Sequence, residues 1–169
     1  MKILVISDLH GDIYYTKKVL DVFSKDGFDK LYVLGDIKYE SIKLLNEEVD
    51  KPIIAVEGNC DQDYEIDYAK FNMPLINYDY AFSKMIVLTH SHIYDEFNYN
   101  GKFDIMLKGH LHISSIVTTL DNKIIANPGS ISLPRDLHHS YMTINDKGIK
   151  IIDINTNEII NELDFKEEK

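Results

Sequence analysis

Three apolar runs, KILVIS from Lys2, KLYVLG from Lys30 and PIIAVEG from Pro52, each stop at a turn bearing Asp or Asn. No other feature restricts the fold as much. An unbroken, β-branched run without polar alternation suits a strand covered on both faces, as in a helix-flanked sheet. Between the first two runs, Asp12 is placed to cap a helix whose apolar residues Tyr15, Val19, Leu20, Val22 and Phe23 recur near helical spacing, with Gly27 as its stop. Ile42, Leu44 and Leu45 mark a second helix before the third run. The first half therefore reads as strand and helix in alternation. In such sheets ligands gather at the carboxyl ends of the strands, where the Asp and Asn residues stand.

The second half has a different texture. PLINYDYAFSKMIVLTH reads as one hairpin, IVTTLDNKIIANPG as another around Asp121 and Asn122, and YMTINDKGIKIIDINTNEIINELDF as a meander turning at DKG and TNE. No long helix is expected after Asn100, so the later strands are expected to form a mostly antiparallel sheet packed face to face on the first. The KEEK tail reads as a solvated end.

With 169 residues, 44% of them hydrophobic, the chain is expected to form one domain over residues 1–169. A formal charge of -10 and a single arginine, Arg135, argue against binding long nucleic acid, which needs clustered cations. Cys60 is the only cysteine, so no intramolecular disulfide forms. The opening apolar run is too short for a signal segment, and no run approaches the roughly 20 apolar residues that span a bilayer. The expectation is a cytoplasmic protein without a membrane segment.

The strand ends collect a particular chemistry. Asp8 and His10 stand two apart after the first run, Asp36 after the second, Asn59 after the third, and His90 with His92 after the first hairpin; KGHLH adds His110 and His112. On an extended backbone, alternate residues point the same way, so Asp8 and His10 are expected to reach one metal ion together. The competing reading of Asp8 is a helix cap. Carboxylate and imidazole donors without thiolate fit Mn²⁺, Fe²⁺, Zn²⁺ or Ni²⁺. Asp36 can bridge two ions roughly 3.5–4 Å apart, the spacing of two-metal phosphoryl chemistry.

The ordered set SDLHG, GD, GNCD, TH, GHLH and NPGS, running from Ser7 to Ser130, resembles the calcineurin-like metallophosphoesterase family, particularly its small YfcE-type phosphodiesterases. The resemblance implies an α/β fold, a four-layer α/β/β/α sandwich of two mixed sheets. It implies two divalent ions, Mn²⁺ foremost, one held by Asp8, His10, Asp36 and His112 and the other by Asp36, Asn59, His90 and His110. It further implies hydrolysis of a small phosphoester by a hydroxide bridging the metals, and a homodimer or larger homo-oligomer. A phosphomonoesterase and a nucleotide pyrophosphohydrolase are the enzymatic alternatives. A catalytically silent metal-binding scaffold, like the retromer subunit of this fold, is the non-enzymatic one. Retention of every ligand position favours the enzyme.

The departures from the family pattern concern the substrate. Many relatives carry histidine after the motif asparagine, placed to protonate the leaving oxygen; Cys60 stands there instead, as in YfcE-type members. A thiol is a poor general acid at neutral pH, so esters with acidic leaving groups are expected to be preferred. Packing is the competing role for Cys60. Two roles are open to His92, phosphate contact or loop support, and two to Asp61, orienting Asn59 or capping a turn. Ser91 and Leu111 replace residues common in relatives, Arg135 is a candidate for a substrate phosphate, and Asn127 and Gly129 are expected to form a tight loop facing the site. The aromatic residues Tyr64, Tyr68, Phe71, Tyr94, Phe97 and Tyr99 are candidates for a substrate cleft or a subunit contact.

Overall fold

The computed structural model describes residues 1–165; the KEEK tail lies outside the described residues. The chain begins as expected: β1 (Lys2–Ile6), α1 (Ile13–Lys25), β2 (Lys30–Val33), α2 (Tyr39–Glu48) and β3 (Ile53–Ala55), with β1, β2 and β3 parallel. Asp12, not Asp8, caps α1, accepting the Tyr15 N–H at 2.9 Å. A short helix that the apolar pattern does not reveal, α3 (Asp63–Tyr68), follows, opened by a capping box between Gln62 and Glu65.

Next come β4 (Ile76–Ala81), β5 (Lys84–Thr89), β6 (Ile105–Lys108), β7 (Ser115–Thr118), β8 (Ile124–Asn127), β9 (Ser140–Asn145), β10 (Gly148–Asp153) and β11 (Ile159–Asp164). Both expected hairpins and the meander are present. The one mostly antiparallel sheet expected of these strands is not. The meander joins the first sheet, where β9 runs antiparallel to β1, giving the order β11-β10-β9-β1-β2-β3. The remainder form a mixed sheet, β4-β5-β6-β8-β7, in which β5, β6 and β8 are parallel. Hairpin signals are local, whereas the partner of a hairpin's outer edge is chosen by the core.

The two mixed sheets pack face to face. Alternate β1 residues divide between two cores: Leu4 and Ile6 meet α1 and α2 through Val19, Leu20 and Ile42, while Ile3 and Val5 meet Ile86, Leu88, Ile105 and Leu107 of the second sheet. This two-sided burial explains the unbroken first run. Between the sheets the Tyr32 hydroxyl donates to Asp79 at 2.5 Å, with Lys30 on the same carboxylate oxygen. On the outer side of the second sheet, no helix occurs among the described residues. The 91–104 segment makes the crossover there, tied down by Lys108 to Glu96 at 2.6 Å and by Lys123 over the Phe103 ring.

Candidate metal centre

The carboxyl ends of β1, β2 and β3 in one sheet, and of β5 and β6 in the other, open at the same edge of the sandwich. They bring Asp8, His10, Asp36, Asn59, His90, His110 and His112 together. Asp8 and His90 are fully buried, and Asp36 is nearly so. The expected reach from an extended strand is wrong in mechanism: Asp8 (φ 55°), His10 (48°), Asp36 (52°), His110 (70°) and His112 (59°) all lie in the left-handed region. Each strand turns sharply at its end, which aims these side chains inward. Such backbone is uncommon for non-glycine residues and clusters at functional sites.

The strain is held by hydrogen bonds between the loops, from both main-chain and side-chain donors. Asp8 and His10 N–H groups donate to the Gly35 and Asp36 carbonyls, at 3.1 and 2.8 Å. Ser130 and Ser132 hydroxyls both donate to the Asp8 carbonyl, and the Asn127 amide donates to Gly109 O at 2.9 Å. The NPGS loop thus braces the site from behind rather than forming its open face. Gly58 lies so close that a Cβ there would stand 2.2 Å from Asp36 Oδ1.

Each carboxylate offers one oxygen to the scaffold and one to the centre. Asp8 Oδ2 accepts from the Ser7 hydroxyl at 2.6 Å and from the His110 N–H at 3.2 Å; Oδ1 is buried without a hydrogen-bond partner. Asp36 Oδ1 accepts from the Cys60 N–H at 2.8 Å, while Oδ2 lies 3.7 Å from His10 Nε2 and 3.4 Å from His90 Nε2. The imidazoles are oriented to match. His90 Nδ1 donates to the Leu34 carbonyl at 2.6 Å and His112 Nδ1 to the Leu133 carbonyl at 2.7 Å, leaving both Nε2 atoms as lone-pair donors toward the centre.

The resulting crowding is of acceptors. His112 Nε2 is 3.1 Å from Asp8 Oδ1 and 3.3 Å from His10 Nε2; His10 and His90 Nε2 lie 3.8 and 3.9 Å from the same Asp8 oxygen. Ligand atoms of Asp8, His10, Asp36 and His112 all fall within 4.8 Å of one another. A neutral His112 has no proton to share there, so only a proton or a cation reconciles the contact. Next to this group, Asn59 Oδ1 stands 3.2 Å from His90 Nε2, and the His110 ring centroid is 5.1 Å from that of His90. The donors are oxygen and imidazole, the set that fits borderline divalent metals.

Proton affinities follow the same geometry. Burial opposes ionisation of Asp36, but His90 and the Cys60 N–H outweigh it and hold its pKa well below the usual carboxylate range. Burial also opposes protonation of His90, yet Asp36, Asp8 and the Leu34 carbonyl raise its pKa. Asp8 raises that of His112, whereas burial lowers His10, His92 and His110. Burial and the neighbouring Asp36 push the Cys60 thiol up to about 11.

Asp61 takes the turn-capping role and extends it: its carboxylate accepts the Gly58 N–H at 2.9 Å within its own turn and the N–H groups of Ile37 and Lys38 at 2.7 and 3.0 Å, clamping the Asp36 loop to the Asn59 loop. Three main-chain donors on one carboxylate are not readable from residue spacing. His92 stands 5.4 Å from His90 between ring centroids, with a buried Nδ1 that has no partner. Of the aromatic candidates, Phe71 packs against the helix-side core and Tyr68 against Tyr39. Tyr64 and Phe97 remain exposed. No helix among the described residues is long and apolar enough to cross a membrane.

The chain is similar in sequence and fold to known proteins. Phosphodiesterase YfcE of Escherichia coli is 29% identical over 180 residues, covering 95% of this chain and 96% of that one. The structure of YfcE, described as a phosphoesterase, superposes with a TM-score of 0.90 at 26% identity, covering 98% of this chain and all of the other. Vps29 of Entamoeba histolytica, solved in complex with Zn²⁺, shares the fold at 18% identity with a TM-score of 0.67, covering 98% of this chain and all of the other. The family model for the calcineurin-like phosphoesterase superfamily domain matches residues 1–147, and the chain belongs to that superfamily.

Proposed function

We propose that the chain is a phosphodiesterase that holds two divalent ions and hydrolyses a small phosphoester. Asp8, His10, Asp36 and His112 hold one ion; Asp36, Asn59, His90 and His110 hold the other. The observation that carries this reading is the buried, unpartnered Asp8 Oδ1 facing three imidazole Nε2 atoms. Mn²⁺ is the proposed ion, and Ni²⁺, Zn²⁺ and Fe²⁺ suit the same donors. When bound, such ions supply a nucleophile from water near neutral pH and neutralise charge on the phosphoryl oxygens.

The chain's own residues do the rest. Asn59 turns its amide NH₂ toward Cys60 Sγ at 3.4 Å and so keeps Oδ1 for the centre. Cys60, its thiol pushed up to about 11, gives little help to a departing alkoxide, which favours esters of acidic alcohols. His92 is proposed to contact a phosphoryl oxygen. A homo-oligomer belongs to the same reading and is checked by light scattering.

The test uses metal-stripped protein with bis(p-nitrophenyl) phosphate and p-nitrophenyl phosphate, restoring Mn²⁺, Ni²⁺, Zn²⁺ or Mg²⁺. Metal-dependent diester turnover that Asp36→Asn abolishes is expected. Stoichiometric metal binding with no turnover of either ester transfers the site to a silent interaction protein.

A further inference from the structure

The rim of the centre carries charged and aliphatic groups. Lys38 reaches the Cys60 carbonyl at 2.7 Å and Glu65 at 2.8 Å, and Glu40 stands against Gly11. On the His112 side stand aliphatic groups held in the open. Leu111 and Ile113 flank His112 at 46% and 47% exposure; Leu133, whose carbonyl receives His112 Nδ1, is 56% exposed; Ile13 of α1 is 49% exposed and Leu137 is 89% exposed. Scattered exposed aliphatic residues need no explanation, but three leucines and two isoleucines on the segments that carry or brace metal-site residues do.

Leu137 also sits at φ 73°, a conformation that costs a branched side chain free energy, and an exposed side chain there returns none through packing. Its neighbour Asp136 secures the loop by accepting the Ser114 N–H and hydroxyl at 2.6 and 2.7 Å. Within this apolar rim lies the chain's sole arginine. The Arg135 main-chain N–H donates to the His112 carbonyl at 2.9 Å, and its side chain is exposed.

Resting on the phosphodiesterase reading, we propose that the substrate is amphiphilic: its apolar ester group lies over Ile13, Leu111, Ile113, Leu133 and Leu137, and Arg135 takes an anionic oxygen beside the metal centre. The occupant is a small molecule because the five side chains expose on the order of 500 Å², below the roughly 800 Å² per partner that a stable protein complex buries. Leu111 and Ile113 adjoin His112 in the chain, and Leu133 and Arg135 are tied to its ring and its carbonyl, so a ligand held by its phosphoryl group brings its organic group toward these loops.

The test is binding of n-alkyl phosphates, methyl to hexyl, to Mn²⁺-loaded protein by calorimetry. Affinity is expected to rise about twofold per methylene, half the free energy of full burial. Ile113→Ser with Leu137→Ser flattens the series, and Arg135→Gln weakens all members by a similar factor, about tenfold. Metal-dependent binding of methyl phosphate with no rise along the series overturns the proposal while leaving the metal centre intact. A flat series with a dimer that Leu137→Ser dissolves also overturns it, assigning the patch to a second copy. A rising series in protein that turns over no diester retains the amphiphile site and rejects the hydrolytic reading.

Discussion

His112 Nε2 lies 3.1 Å from Asp8 Oδ1 while Nδ1 of the same ring is committed to the Leu133 carbonyl. Two lone pairs so close and so buried demand a positive charge between them. Asp8→Asn is therefore expected to lower metal stoichiometry from two ions to at most one, read by elemental analysis after dialysis. His112→Ala should do the same at the same ion. Full stoichiometry in both variants would remove these residues from the ligand set.

Asp61 acts through the backbone. Asp61→Ala strands three N–H donors on the Asp36 and Asn59 loops, at a cost of about 3 kcal/mol in stability if the losses are partly shared. Metal affinity should fall by about 10–100-fold, the range for partners that orient ligands. Asp61→Asn, which keeps one carbonyl oxygen, should recover part of both. Urea unfolding and metal titration measure the two effects separately.

Gly58→Ala tests close approach alone. Its Cβ would meet Asp36 Oδ1 at 2.2 Å and the Asp36 backbone nitrogen at 2.3 Å, so the Asp36 loop must move. Diester turnover should drop by at least about tenfold, a displacement of about 1 Å being enough to cost that much. Unchanged turnover would show that the loop relaxes without moving the carboxylate.

Cys60→His restores an acid of ordinary pKa in place of a thiol near 11. The ratio of alkyl-ester to p-nitrophenyl-ester turnover is expected to rise by about 10–100-fold, within the usual contribution of a general acid. An unchanged ratio would mean that leaving-group protonation does not limit either ester.

Asp153 sets an acid limit on stability away from the metals. Burial opposes its ionisation, but His138 at 3.1 Å and the N–H groups of Asn155 and Thr156 hold its pKa below the ordinary value. A depressed folded pKa stabilises the protein above the unfolded value of about 4 and loses that stabilisation as pH falls through the folded value. Asp153→Asn should cost about 1–3 kcal/mol at pH 7 and progressively less below about pH 4. Chemical unfolding across that range checks the sign.

The parallel β1-β2-β3 core, α1 with its Asp12 cap, the hairpins and the metal-donor residues at the strand ends were legible in the sequence because each rests on local chemistry, and the family resemblance narrowed those donors to seven candidate ligands. Apolar runs specify two-sided burial, a short acceptor side chain specifies a helix start, and metal donors must be particular residue types whatever the fold. Tertiary structure alone decided where the outer edges of the hairpins pair, since β9 meets β1 while packing Tyr141 into one core and Met142 and Ile144 into the other. It alone decided that Asp8, His10, Asp36, His110 and His112 turn into left-handed backbone, a strain that neighbouring loops must hold through hydrogen bonds. The clamp at Asp61 and the apolar rim around Arg135 have the same origin. They join residues far apart in the chain, and spacing along a sequence carries no record of which loops will share an edge.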